Sequence, residues 1–317
     1  MTFFLNINDN HIYNRPELIT FLARNQDQHI ILNTNYEGGC LESLGLYELL
    51  DCFRFKSVTI VTANIVEHHP VHQIRVHESA FRFFYTIGNA DYTPYHGWNQ
   101  KKIFGALYNR ATWDRMGLAG HLQINHPAQS VINFRSNPHN DADRRLFEMQ
   151  RLFEIDLTSA RNFLLAADQF PVQLEDQDGY TTGVSTQTHT EQMASFYQDF
   201  LIDIVAETFV NGRNFFPTEK TIRPMLLKKP FIIMGPKCNL IHLRQMGFQT
   251  FSRFWNEDYD GYGIKHKYNK ILDLIDTLST KSSDQLAQMY ADMQPVLDHN
   301  YNLLIEKKFS RTINYVE

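Results

Sequence analysis

The sequence is short of cysteine: Cys40, Cys52 and Cys238 are the only three in 317 residues. Thiols spread this widely, with no Cys-x-x-Cys pair, exclude a disulfide framework and a cysteine-based structural zinc site. A reducing compartment is expected, the cytoplasm (the host's, for a viral protein). No apolar run approaches the roughly 18 residues that cross a bilayer, so no membrane span is expected. The opening stretch MTFFLNINDNHIYNRPE lacks the basic flank and long apolar core of a signal peptide. An excess of positive charge is missing too. The net charge of −5 gives no chain-wide field pointing to nucleic acid. Gly-x-x-x-x-Gly-Lys-Ser/Thr, Gly-x-Ser-x-Gly and Gly-x-Gly-x-x-Gly are all absent. That argues against a P-loop enzyme, a nucleophile-elbow hydrolase and a nicotinamide enzyme. Histidines 68, 69, 72 and 77 carry no zinc spacing; His68 and His69 read as loop residues, His72 and His77 as ordinary ones. Asp-x-Asp pairs at 141/143, 176/178 and 258/260 follow no clear strand end. No metal ligand and no cofactor is therefore assigned.

What is present is an ordinary globular composition, 43% hydrophobic and 21% charged, long enough for two domains or one large one. Strand and helix patterns alternate through the first 64 residues, with SVTIVTA at Ser57–Ala63 reading as a strand covered on both faces. A strand is expected over Lys102–Tyr108, a helix from Thr112, and a further strand over Gln129–Arg135. The turn-rich Ser136–Asp141 suggests a boundary. A second alternation runs through Phe200–Ala206, Glu219–Leu227 and Phe231–Met234. Two long helices close the chain. The expected fold class is α/β, with two Rossmann-like domains facing a cleft. Residues 1–136 are assigned to the first domain, 137–190 to a helical bridge and loop, and 191–282 to the second domain. Residues 283–317 are assigned to a helix packing back on the domains.

The most informative stretch is FFPTEKTIRPMLLKKPFIIMG, Phe215–Gly235. Thr218 stands where a helix should begin, with Glu219, Lys220 and Thr221 in its first turn. Free N–H groups and the helix dipole there attract an anion, and Lys220 and Arg223 add formal positive charge. Glu219 is suited to accept hydrogen bonds from sugar hydroxyls, and Glu207 places a second acid at the end of the preceding strand. The same residues also make a plain helix cap. Together they suit a ligand that carries a diphosphate and a sugar.

The order Ala206-Glu207-Thr208, Thr218-Glu219-Lys220-Thr221, Pro230-Phe231-Ile232-Ile233-Met234-Gly235 resembles the α-1,3-fucosyltransferases over Phe200–Gly235, about a tenth of the chain. The chain also resembles a group of phage and virus glycosyltransferase-like proteins. Those share TEKT, the PFII strand, the Leu243–Phe251 segment, the acidic Glu257–Asp260 loop and the FGALYNRATWDRMGL stretch. The fucosyltransferase resemblance implies a GT-B-like fold, a nucleotide-diphosphate sugar as co-substrate and no metal. It implies that Glu219 holds ribose hydroxyls, Lys220 the diphosphate, and Glu207 lies near the donor sugar. Thr208 stands where that family carries Asn, and Pro217 precedes the Thr. Both departures leave the donor sugar open.

Asn109, Arg110 and Arg115 follow or lie behind a strand end and are further donor-binding candidates, since a strand-end arginine pairs bidentately with phosphate. An inverting transferase also needs a base for the acceptor hydroxyl. Glu37, in the loop NYEGG, is the first candidate, because Gly38 and Gly39 let an acceptor approach the backbone. Glu67, after the VTIVTAN strand, is the second. Three readings follow. The first is a glycosyltransferase acting on a glycan or other hydroxyl acceptor. The second is a phage-type enzyme that glycosylates hydroxylated DNA bases. The third is a non-catalytic nucleotide-sugar-binding or virion scaffold protein.

Overall fold

The computed structural model describes residues 1–8, 11–34, 38–86, 91–108, 112–134, 146–152, 154–155, 157–167, 169 and 186–313. Two parallel sheets organise them. In the first, β1 (Thr2–Phe4), β2 (His29–Thr34), β3 (Ser57–Thr62) and β4 (Gln73–Val76) lie side by side in chain order. Every pairing is parallel. Parallel neighbours need crossovers, and α1 (Arg15–Arg24) and α2 (Leu46–Asp51) lie in the first two. Leu18, Leu22, Leu46 and Leu50 bury against Ile30, Leu32, Val58 and Ile60 to make a core of the first sheet's own. Strand β4 carries the pattern exposed, intermediate, exposed, exposed. It is an edge strand with little apolar signal, which is why the His-rich segment around it read as loop.

The second sheet holds β5 (Lys102–Tyr108), β6 (Ser130–Phe134), β7 (Phe200–Ala206) and β8 (Phe231–Met234), in the order β8-β7-β5-β6 and parallel throughout. All residues of β7 and β8 are buried, so both read as apolar runs, broken only by Asp203 in β7. The division drawn at residue 136 is corrected here. It assigned Lys102–Tyr108 and Gln129–Arg135 to the first half, yet β5 bonds directly to β7, with Phe104 opposite Ile202. The pairing is close: a Cβ at Gly105 would strike the ring of Phe200. The unit β5, α3 (Trp113–Asn125), β6 is itself a βαβ crossover, so its proper partner is the β7–β8 unit that continues the sheet.

Between β7 and β8 lies α5 (Glu219–Leu226), and after β8 come α6 (Asn239–Gln245), α7 (Ile264–Ser279) and α8 (Ser283–Ile305). Helix α4 (Leu157–Ala167) packs on α3, where Gly120 lets the backbone of Phe163 approach. The acidic loop before α7 is consumed by the fold. Glu257 accepts from Thr250 Oγ1 (2.6 Å) and the Phe251 N–H (2.7 Å), and Asp260 accepts from the first N–H groups of α6, Leu240 (3.0 Å) and Ile241 (3.2 Å). No helix of the described residues is long and apolar enough to cross a membrane.

Candidate functional site

In the second sheet the strand order reverses between β5 and β7. The β5 chain leaves towards β6 and the β7 chain leaves towards β8, so their carboxyl ends open a crevice, the place where open parallel sheets take ligands. Tyr108 ends one strand and Ala206 the other. Asn109 and Arg110, the residues after Tyr108, lie outside the described residues.

On the β7 side Glu207 follows at once, and it is 3% exposed. Its carboxylate is fully engaged. Oε1 accepts from the Thr218 N–H (3.1 Å) and Thr221 Oγ1 (2.5 Å); Oε2 accepts from Thr218 Oγ1 (2.6 Å) and the Thr208 N–H (3.2 Å). A carboxylate has about four acceptor positions, so none is left for a sugar. This corrects the expected role of Glu207: it locks the start of α5 to the end of β7. Thr218 is the N-cap, its hydroxyl also accepting from the Lys220 N–H (3.4 Å).

Glu219 and Lys220 are the two members of the tetrad that stay reachable, with side chains 18% and 22% exposed. Lys220 Nζ donates to Glu219 Oε1 (2.7 Å), Thr218 Oγ1 (3.2 Å) and Thr208 Oγ1 (3.3 Å). Burial works to raise the Glu219 pKa, but the charge of Lys220, its hydrogen bond and the charge of Arg223 outweigh it and hold the carboxyl at about 2. Arg223 points inward. It is 4% exposed and faces Tyr197 and Asp203, so it lies beneath the crevice floor and not at its mouth. Burial lifts Asp203 to about 6 despite a hydrogen bond from Tyr197.

Arg115, in the first turn of α3, reaches across the crevice. It is 4% exposed, and Nη2 donates to the main-chain oxygens of Ala206 and Glu207, each at 3.2 Å. Its Nε has no hydrogen-bond partner among the described residues. Asp114 beside it is raised by burial, partly countered by the Arg115 charge. The crevice floor between Tyr108, Ala206, Lys220 and Arg223 holds a void of only about 10 Å³, room for roughly one water.

A second and larger concavity lies at the carboxyl ends of β2 and β3. This cavity, about 410 Å³, is lined by Glu42, Tyr47, Glu48, Asp51, Glu67 and Arg213, among others. Glu67 is half-buried at its wall. Its Oε1 accepts from Tyr47 Oη (2.6 Å), and Oε2 from Asn64 Nδ2 (2.8 Å) and the Leu41 N–H (3.4 Å). Burial raises its pKa against the pull of these donors. The Tyr47 ring stacks on His69 at 4.2 Å and His69 on His72 at 4.4 Å, forming an aromatic rim. His69 Nδ1 accepts from the N–H groups of Val71 and His72, and His77 Nδ1 from that of Ser79, so these histidines shape turns. Glu37 lies outside the described residues. Gly38 makes way for protein and not for an acceptor, since a Cβ there would strike the side chain of Phe216.

Hydrogen bonds tie the wall of the larger cavity to the chain that precedes α5. Asn64, fully buried, donates from Nδ2 to Glu67 and to the Arg213 main-chain oxygen (3.2 Å), while its Oδ1 accepts from the Phe215 N–H (2.8 Å). Phe215 is three residues from Thr218, and three residues of chain span at most about 10 Å. The chain that Asn64 holds therefore leads directly into the start of α5. Sequence reading did not anticipate Asn64 or Tyr47, since their importance depends on contacts with distant segments.

Among the described residues one further cluster gathers metal-ligating types: His121, His126 and Asp276. Comparison with protein-family models, curated proteins and solved structures returned no match to the chain.

Proposed function

We propose that the protein is a glycosyltransferase of GT-B-like architecture, moving a sugar from a nucleoside-diphosphate sugar to a hydroxyl acceptor. The observation that carries the reading is the switch-point crevice, with Lys220 at its lip and the buried Arg115 bridging its two sides. Arg115 donates to the main-chain oxygens of Ala206 and Glu207, Lys220 donates to Thr208 just beyond them, and α5 begins beside that turn. Because the floor is closed, the donor meets the crevice at its mouth. Its diphosphate lies against Lys220 and the helix start. Glu219, ionised because its pKa is held at about 2, accepts from ribose hydroxyls. Glu67 is the base. Tyr47, Asn64 and Leu41 aim its carboxylate at the cavity, and its raised pKa brings it nearer neutrality, where a general base works best. The acceptor oxygen bonds to the anomeric carbon as the bond to the diphosphate oxygen breaks. The proton goes to Glu67 and the departing charge is met by Lys220. A single displacement inverts the anomeric centre. Glu42, Glu48, Asp51 and Glu67 face one arginine, Arg213, in the cavity. This favours a neutral or cationic hydroxyl compound, such as a glycan, over a phosphodiester chain.

The test is thermal melting with a panel of nucleoside diphosphates and their sugar conjugates, on wild type and Lys220→Ala. A ligand at 100 times its Kd stabilises by about 2.7 kcal/mol. We expect one nucleoside to stabilise wild type and not the variant. No shift with any member of the panel would overturn the reading and favour a scaffold. Glu67→Gln separates binding from chemistry: the donor-induced shift persists and turnover is lost.

A further inference from the structure

We propose that His121, His126 and Asp276 form a binding site for a zinc-class divalent ion that ties α3 to α7 at the end of the sheet opposite the crevice. His121 Nε2 lies 2.8 Å and His126 Nε2 2.6 Å from the same atom, Oδ1 of Asp276. The three ligand atoms lie within 4.8 Å of one another, and the two imidazole rings are inclined at 57° with centroids 5.5 Å apart. Two imidazoles and a carboxylate are a donor set that suits zinc and its neighbours. Metal–ligand bonds of about 2.1 Å place tetrahedral ligands about 3.4 Å apart, so the two histidine–carboxylate distances need to open by only about 0.7 Å. Asp276 can supply that movement, because its side chain is 52% exposed, whereas those of His121 and His126 are 7% and 11% exposed and held in place.

Two features outside the triad favour a cation here. His121 lies in the last turns of α3 and His126 is its C-cap, while Asp276 lies in the last turn of α7. Two helix C-termini, each the negative end of a dipole, thus converge on one point, and Gln129 Nε2 fastens them by donating to the Ser279 main-chain oxygen (2.9 Å). The carboxylate of Asp273, one turn before Asp276, adds a charge that reaches His121. Second, Nδ1 of His121 lies 3.0 Å from the Asn125 amide. Turning that amide to present its oxygen fixes the proton on Nδ1 and frees Nε2 for metal, the usual outer support of a metal-bound histidine. Because α3 starts at the carboxyl end of β5 and ends just before β6, the site lies at the amino edge of the sheet. The ion is therefore a staple, and donor binding does not depend on it.

Cobalt(II) titration of the chelator-stripped full chain tests this, read by visible ligand-field absorption, with zinc as competitor and melting followed in parallel. Expected are one cobalt ion per chain, displacement by zinc, and a rise in melting temperature with zinc. Asn125→Ala weakens binding about 10- to 100-fold. His126→Gln and Asp276→Asn weaken it further, and His69→Gln leaves it unchanged. Asp276→Asn keeps the shape of a half-exposed side chain, so it decides the matter should His126→Gln fail to fold. In chelator its melting matches wild type; in zinc only wild type gains. Absence of a cobalt band overturns the proposal. So does a band that survives in Asp276→Asn, or one lost in His69→Gln.

Discussion

Glu207 is buried and accepts four hydrogen bonds, two of them from main-chain N–H groups. Glu207→Gln keeps the volume but turns an amide NH₂ towards those donors. Leaving buried donors unmatched costs about 1–3 kcal/mol each. We expect a loss of about 2–4 kcal/mol in urea unfolding, larger than surface substitutions give. Lys229 makes a different prediction. It is fully buried, donating to the main-chain oxygens of Phe200 (3.0 Å) and Gly97, and burial lowers its pKa to about 7. In the unfolded chain the amine titrates near 10.4. Between these values the unfolded state holds the proton and the folded state does not, so stability rises with pH across that window. Lys229→Met should flatten the rise in unfolding free energy measured from pH 7 to about pH 10.

At the scale of elements, α8 begins with a full capping box: Ser282 Oγ accepts from the Gln285 N–H (3.2 Å) and the Ser282 N–H donates to Gln285 Oε1 (2.9 Å). Ser282→Ala is expected to cost about 1 kcal/mol by chemical denaturation. Such local features are legible in a sequence because their partners are three residues apart. Strands β3, β7 and β8 are legible too, since burial on both faces leaves β3 rich in β-branched residues and β7 and β8 apolar but for Asp203. The cap at Thr218 could be read for the same local reason. What could not be read are pairings set by the fold. The β5–β6 unit joins β7 across a segment of turn residues that looks like a linker. The carboxylate of Glu207 reads as free until α5 is folded against it. His121 and Asp276 meet across 155 positions with no spacing to betray them.

At the scale of the molecule, Asn64 pins the two sheets together, bonding Glu67 on one side and the Arg213–Phe215 chain on the other. Gly212, at φ +76°, lets that chain turn against Cys40. Asn64→Ala removes the hydrogen bond that holds the Glu67 pKa down, so that pKa rises further. The acid limb of kcat/KM should move to higher pH, alongside a stability loss of about 2–4 kcal/mol. A purely structural role would lower stability and leave the limb where it is.

The ring of Phe309 packs on Phe84 at 4.7 Å, and the guanidinium of Arg311 lies over the Tyr85 ring at 5.2 Å. Seen as an event in time, that contact is among the last to form as the chain leaves the ribosome. The first sheet has its own core, complete by Ile60 apart from its edge, and can assemble while the rest is still being made. The cluster around Phe84 is translated early and is completed only more than two hundred residues later, Phe248 reaching it first and Phe309 last.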